Sequence, residues 1–94
     1  MKKRVKGWQD LRRDLRVIDD DPNAGGWLEI WFNPRSGEIK CVDEGKGDEL
    51  GTGFEKLDLD NSKFFDYSNN SRVEYIKYTV ARDYPDYAGS VGYS

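Results

Sequence analysis

Four apolar residues near the start of the chain recur at the spacing of one helical face: Trp8, Leu11, Leu15 and Ile18. This period predicts an amphipathic helix whose opposite, arginine-rich face lies toward solvent. The segment 19–26 is dense in Asp, Pro, Asn and Gly, so we expect the helix to end there. Residues 1–6 precede the helix and are predicted to be a basic, flexible arm. The alternatives are a contact with nucleic acid or an anionic surface, or an arm that folds back onto the acidic remainder of the chain.

Two segments rich in strand-forming residues, 27–32 and 38–43, flank a turn-forming stretch and predict a β-hairpin. Gly37 suits the left-handed backbone conformation that closes a four-residue loop. Pairing Asn33 with Glu38 brings alternate side chains onto one wholly apolar face. We expect this face to belong to the core: Leu28, Ile30, Phe32, Ile39 and Cys41.

The opposite face of the hairpin carries two tryptophans among charged residues: Trp27, Glu29, Trp31, Glu38, Lys40 and Val42. A strand face that meets only water does not ordinarily carry two such rings. Either a second layer of the protein covers them, or they form a contact patch for a partner. In a further alternative, Trp31 lies under Lys40 as a cation–π pair.

The second half of the chain has less regular patterning. Residues 44–53 are predicted to form a glycine-rich acidic loop, and 54–59 a short third strand. The aromatic residues in 64–67 are expected to supply further core rings. The tail, 88–94, is rich in Gly and Ser and is predicted to be mobile.

The segment 72–84 fits a helix better than a strand, because Ser71 and Glu74 make a capping box and Pro85 provides a stop. A helix buries one stripe of residues: Val73, Ile76, Val80 and Tyr84. It directs three others away from the core: Tyr75, Tyr78 and Arg82. The strand alternative places Tyr78 inward and leaves no exposed row of tyrosines.

Together these elements predict an α+β fold for a single domain spanning 1–94. A small antiparallel sheet, made of the hairpin 27–43 and a third strand, is packed by an N-terminal and a C-terminal helix. A chain of this length buries about 60–65% of its unfolded surface, which is enough for one modest core.

Composition narrows the chemistry that such a domain can perform. The chain has thirteen aromatic residues, no histidine and one cysteine, so a histidine-dependent nucleophilic pair is excluded. Cys41 falls on the apolar face, where an inert, buried thiol is expected. Residues 1–16 carry seven basic and two acidic side chains, whereas 17–94 carry eight basic and sixteen acidic ones. The acidic body makes direct nucleic-acid binding unfavourable.

Two patterns suggest metal chemistry. Asp19-x-Asp21-x-Asn23 has the spacing that opens a calcium loop, but Ala24 replaces the required glycine and Ile30 the bidentate glutamate. An acidic residue at 20 or 21 followed by Glu38-Ile39-Lys40 resembles the PD-(D/E)xK nuclease signature, which implies a divalent metal and phosphodiester cleavage. The chain departs from that signature, because Asp-Pro stands where Pro-Asp is expected. We expect no metal and no cofactor.

The resulting hypothesis is a cytoplasmic, non-catalytic module that binds another protein through an acidic surface and inhibits or regulates a larger enzyme. An inhibitor of a nucleic-acid-processing enzyme, of the kind that phages or mobile elements carry, has this size and composition. The predicted anchors are Trp27, Trp31, Tyr75, Tyr78 and Arg82. The predicted steering acids are Asp43, Glu44, Asp48 and Glu49. Alternatives are a toxin-neutralising immunity protein, a small metal-dependent nuclease and a homo-oligomeric subunit; no membrane contact is expected.

Overall fold

Three short strands and three α-helices form the main elements of residues 3–21 and 28–93, which the computed structural model describes. The helices are α1 (Trp8–Asp20), α2 (Asn61–Asp66) and α3 (Asn69–Asp83). The strands are β1 (Leu28–Phe32), β2 (Ile39–Asp43) and β3 (Glu55–Lys56), in an antiparallel sheet of order β2-β1-β3. Two 3₁₀ helices, Gly47–Leu50 and Pro85–Val91, complete the described elements. The predicted α+β class is confirmed.

The hairpin has the predicted register, in which Phe32 lies opposite Ile39. The Asn33 N–H donates to the Glu38 carbonyl at 2.9 Å, and Gly37 has the predicted left-handed conformation with φ 82°. The Asn33 side-chain oxygen also accepts hydrogen bonds from two backbone N–H groups of the turn. Local side-chain chemistry therefore closes this loop, and the closed loop sets which residues share a face.

The predicted core face of the hairpin is buried as expected at Ile30, Phe32 and Ile39. Leu28 and Cys41 are half-buried and pack against the same core. The helices supply the other wall: Leu11, Leu15 and Ile18 from α1, Phe64 from α2, and Val73, Ile76 and Val80 from α3. Burial of these side chains is the main stabilising contribution, at about 1.5–3 kcal/mol for each large apolar side chain.

Residues 72–83 are helical, as favoured, but the helix begins earlier than predicted, at Asn69, and ends one residue before Tyr84. Ser68 is the N-cap of α3, and its hydroxyl oxygen accepts a hydrogen bond from the Ser71 N–H at 3.3 Å. The predicted capping box was wrong, because Ser71 lies inside the first turn and Glu74 forms an ion pair with Lys77 instead. Two serines three residues apart both suit a cap, so sequence alone did not separate them.

Val5 and Lys6 pack onto the rest of the chain, which agrees with the fold-back alternative and differs from the predicted flexible arm. Val5 is buried, and Lys6 forms a parallel β-bridge with Glu38. The Lys6 N–H donates to the Gly37 carbonyl at 2.7 Å, and the Ile39 N–H donates to the Lys6 carbonyl at 2.9 Å. The unpaired edge of β2 thus supplies hydrogen bonds that the basic composition of 1–6 did not indicate.

The C-terminal segment also packs, although a mobile tail was predicted for 88–94. It belongs in part to the 3₁₀ helix Pro85–Val91, in which Tyr87 and Val91 are buried. The Tyr87 ring meets Phe32 edge-on at 5.0 Å, and its hydroxyl donates to the Pro34 carbonyl at 2.7 Å. One aromatic and one branched side chain therefore hold a segment that is otherwise small and polar.

Arg72 joins the three α-helices, a role that the sequence did not reveal. Its guanidinium is almost fully buried and donates to the carbonyls of Phe64 and Phe65, both at 2.9 Å. It also forms an ion pair with Asp19 of α1 at 2.8 Å. A buried charge is stable only when it is paired and hydrogen-bonded, and Arg72 meets both requirements.

Candidate protein-binding surface

Trp31 lies on the outer face of the sheet but is covered by its own chain. Its indole N–H donates to the Glu29 carboxylate at 3.1 Å, and that carboxylate forms an ion pair with Lys56 at 3.1 Å. Gly47 lies on the ring so closely that a Cβ there would come within 2.2 Å of Cζ2. The covering-layer alternative is therefore correct for Trp31, and the loop after β2 provides the layer.

The other expectations for this face have different outcomes. Lys40 forms an ion pair with Glu38 at 3.9 Å, and no described cation lies over the Trp31 ring, so the alternative of a Lys40–Trp31 pair is wrong. Trp27 lies outside the described residues. Trp31 is therefore a half-buried ring with limited area left for a partner.

The four predicted steering acids are exposed and lie close together in the chain, where β2 ends and the first 3₁₀ helix follows: Asp43, Glu44, Asp48 and Glu49. Lys46 is 3.9 Å from Glu49, and both side chains are largely exposed. None of the other three acids has an ion-pair partner among residues 3–21 and 28–93. An exposed ion pair at that distance contributes little, so the loop keeps a negative field.

Beside this loop, a groove of about 420 Å³ separates α1 from the outer edge of β2. Its lining combines apolar and acidic side chains: Asp14, Val17, Leu28, Cys41, Val42, Asp43, Lys46 and Glu49. Val17 is 47% exposed although it is large and apolar. The sequence pattern did not indicate Asp14 or Val17 as site residues, because the helical period places both off the buried stripe. The feature that could have indicated the groove is the adjacent pair Val17 and Ile18, because it gives α1 one more apolar residue than its buried stripe requires.

Cys41 faces this groove as a protonated thiol. Burial raises its pKa to about 12, and the nearby carboxylates of Asp14 and Asp43 act in the same direction because they disfavour a second negative charge. The thiol is therefore a weak nucleophile at neutral pH, in line with the expected inert role.

The outward side of α3 has a different character. Tyr78 is 48% exposed, as predicted, and meets Tyr93 edge-on with ring centroids 6.1 Å apart. Arg82 is also exposed, and its guanidinium binds the carboxylate of the adjacent Asp83 at 2.9 and 3.3 Å. These side chains remain accessible to a partner.

Tyr75 does not point directly away from the core, so that prediction was wrong. It is half-buried and packs against Tyr67 with ring centroids 5.8 Å apart. Its hydroxyl oxygen accepts a hydrogen bond from the Asp60 N–H at 2.8 Å. The residue anchors the segment before α2 against α3, a contact that helical spacing alone does not show.

The structure does not bring the predicted site residues into one surface. Trp31 lies on the sheet face opposite the buried Ile30 and Phe32, whereas Tyr78 and Arg82 lie on the side of α3 that faces away from its buried residues. The core therefore separates the two groups. The acidic loop and the groove lie beside β2, on the same side of the molecule as the sheet.

The described residues contain no group of three or more His, Cys, Asp or Glu side chains placed to hold a metal ion. The Glu38 and Lys40 side chains share one sheet face, as their parity predicts, but they pair with each other. Asp19 pairs with Arg72. Among residues 3–21 and 28–93, no helix is long and apolar enough to cross a bilayer.

Comparison with protein-family models, with curated proteins and with solved structures finds no match to this chain. The groove and the acidic loop beside it combine an apolar floor with acidic side chains on the described surface.

Proposed function

We propose that this protein is a small acidic, non-catalytic module that binds a basic surface of another protein and thereby inhibits or regulates a larger enzyme. The observation that carries the proposal is the groove between α1 and β2. Its carboxylates, from Asp14, Asp43 and Glu49, face a single lining cation, Lys46. Glu44 and Asp48 extend the same negative field along the loop.

The two components of this surface contribute differently to binding. Asp14 pairs with Arg13 at 3.6 Å and Glu49 with Lys46 at 3.9 Å, but both pairs are largely exposed and contribute little. The excess of carboxylates therefore still accelerates the encounter with a basic partner and selects against acidic ones. The apolar floor, in which Val17 and Leu28 are partly accessible, supplies area that loses water on contact. Trp31 keeps the loop in place rather than anchoring the partner, because Gly47 and Glu29 already occupy its ring and its N–H.

An enzyme that processes nucleic acid is the partner class that fits best, because such enzymes carry a basic groove for the phosphate backbone. An acidic protein seated there blocks the substrate through the same charge complementarity. A toxin with a basic active-site groove belongs to the same class, so the immunity-protein alternative uses the same surface.

The test compares two variants with the same change in net charge. Asp43→Asn, Glu44→Gln, Asp48→Asn and Glu49→Gln together remove the loop acids, and Asp66→Asn, Glu74→Gln, Asp83→Asn and Asp86→Asn form the control. Partners are captured from the cells that make the protein, identified by mass spectrometry, purified and titrated against each form. We expect a basic enzyme whose affinity falls at least about tenfold for the loop variant, weakens with salt, and is unchanged for the control.

Equal binding by the two variants contradicts the proposed surface. If the captured enzyme binds through the loop but keeps full activity in the complex, the inhibitory part of the proposal is wrong and the binding part stands.

A further inference from the structure

β2 is an edge strand, because the sheet order is β2-β1-β3. In an antiparallel pair, alternate residues direct their backbone groups toward the partner strand and away from it. The bond from the Asn33 N–H to the Glu38 carbonyl shows which set faces β1. By this alternation, the outward-facing set of β2 consists of Ile39, Cys41 and Asp43.

The chain itself already uses the first part of this edge. The Ile39 N–H donates to the Lys6 carbonyl at 2.9 Å, so an extended segment is seated there in parallel orientation. Gly7, with φ 103°, then turns the chain away into α1. Beyond that point no described residue pairs with the backbone N–H of Cys41, and the Asp43 carbonyl is taken by the Lys46 N–H at 3.0 Å.

The unpaired part of the edge borders the groove. Cys41 belongs to both, whereas Asp43 lines the groove and leaves only its backbone N–H on the edge. Val17 of α1 forms the opposite wall. An edge with free N–H and C=O groups is a template for an added strand, and here it lies beside an apolar floor and an acidic rim. These three features select a strand with both basic and apolar side chains.

We propose that this groove binds an extended segment of the partner by strand addition to β2, and that the segment alternates basic and apolar side chains. The inference rests on the proposed function and names the element of the partner that is recognised. The stretch from Lys40 to Asp43 spans about 13 Å, which accommodates about four partner residues. Apolar side chains of the segment lie on the groove floor, whereas its long lysine or arginine side chains leave the added strand on the other face and are attracted by the negative field of the rim, to which Asp14, Asp43 and Glu49 contribute.

The experiment titrates the ¹⁵N-labelled full chain with an acetylated, amidated octapeptide of alternating Lys and Val. Two further peptides carry backbone N-methyl groups on all valines or on all lysines, so that each blocks the donors of one strand edge only. We expect the parent to shift the Cys41 and Asp43 amide resonances, and one methylated peptide to bind at least about tenfold more weakly than the other. Equal binding by the two methylated peptides, strong or weak, overturns strand addition.

Variants of the protein separate this inference from the proposed function. Val17→Lys places a positive charge in the groove and is expected to lower the affinity for the unmethylated peptide at least about tenfold. Gln9→Lys, exposed on the same helix, is the matched control and should leave that affinity unchanged. Asp14→Asn with Asp43→Asn and Glu49→Gln tests the rim. If the rim variant weakens binding while the methylated peptides bind equally, the acidic surface stands and strand addition is wrong.

A second copy of this chain is the competing occupant of the edge. Sedimentation of the full chain over a hundredfold concentration range distinguishes it from a partner segment. A monomer throughout agrees with the proposal. A dimer that the Lys-Val octapeptide does not dissociate overturns it.

Discussion

The outer face of the sheet and the outer face of α3 both carry large aromatic side chains, but only the ring on the sheet is covered by other residues. On the sheet, Trp31 is covered by Gly47 and hydrogen-bonded to Glu29. On the helix, Tyr78 is 48% exposed and touches one other exposed ring, Tyr93. The same side-chain class is thus structural on one face and accessible on the other.

The difference follows from what the chain does after each element. A flat sheet face can be covered by the connection that leaves a neighbouring strand: Trp31 is in β1, and the loop after β2 places Gly47, which has no side chain, on the indole. The outward ridge of α3 is convex, and the residues that follow it return to the core at Tyr87 and Val91. An aromatic ring on a sheet is therefore weaker evidence for a partner site than one on the outside of a helix.

The largest expected effect on stability comes from comparing a buried arginine with an exposed arginine of the same helix, α3. Arg72→Met removes a buried guanidinium and leaves two carbonyls and Asp19 without their donor, so we expect a loss of about 3 kcal/mol in the free energy of unfolding. Arg82→Met removes only an exposed pair with its neighbour and should leave the urea midpoint unchanged. A comparable loss in both variants would show that the two sides of the helix do not differ in this way.

Truncation of the two compared rings is the direct test. Trp31→Ala deletes a half-buried indole and its hydrogen bond, and we expect about 2 kcal/mol of destabilisation in urea unfolding. Tyr78→Ala should change stability by no more than about 0.5 kcal/mol. If Tyr78→Ala costs as much as Trp31→Ala, the outer face of α3 contributes to folding and the comparison fails.

Two glycine substitutions test whether the covering loop lies as close to the Trp31 indole as the structure shows. Gly47→Ala forces a Cβ into the Trp31 ring, so we expect a loss of about 1–3 kcal/mol. Gly89→Ala is the matched control, since its Cβ would meet open space and its φ is not in the left-handed region. The control should be neutral or slightly stabilising in thermal unfolding. A neutral Gly47→Ala would mean that the loop does not cover Trp31.

The smallest expected effect is a pH dependence at Glu29, beside Trp31. Burial alone raises the pKa of this carboxyl, but hydrogen bonds from Trp31 and Lys56 outweigh it and lower the pKa below the ordinary 4.5. A lowered pKa stabilises the fold above 4.5, and this contribution disappears as the pH falls below that value. The stability difference between wild type and Glu29→Gln should therefore shrink between pH 6 and pH 3 in urea titrations. A constant difference would contradict this network.

Much of the fold could be predicted because it follows from local rules. Helical spacing located α1, and the Asn33–Gly37 turn determined the hairpin register residue by residue. The cap of α3 was missed because Ser68 and Ser71 are chemically equivalent candidates. The packing of Val5 was missed because a single valine among basic residues carries no periodic signal.

The candidate surface was only partly predictable. The acids Asp43, Glu44, Asp48 and Glu49 were found by composition, because charged side chains in a glycine-rich loop are exposed in almost any fold. The groove was not found, because Val17 and Cys41 are distant in sequence and meet only when α1 lies along the edge of β2. Tyr75 was misjudged because its partners, Asp60 and Tyr67, come from outside its own helix.

The sequence by itself determined which faces of the strands and helices are apolar, where the hairpin turns and where charge accumulates. Each of these depends on neighbours within a few positions, where backbone geometry and side-chain spacing are set. Only the tertiary structure decided that Trp31 is covered, that Arg72 is buried and that the edge of β2 opens on a groove. These properties depend on contacts between distant segments, which arise once the core brings the elements together.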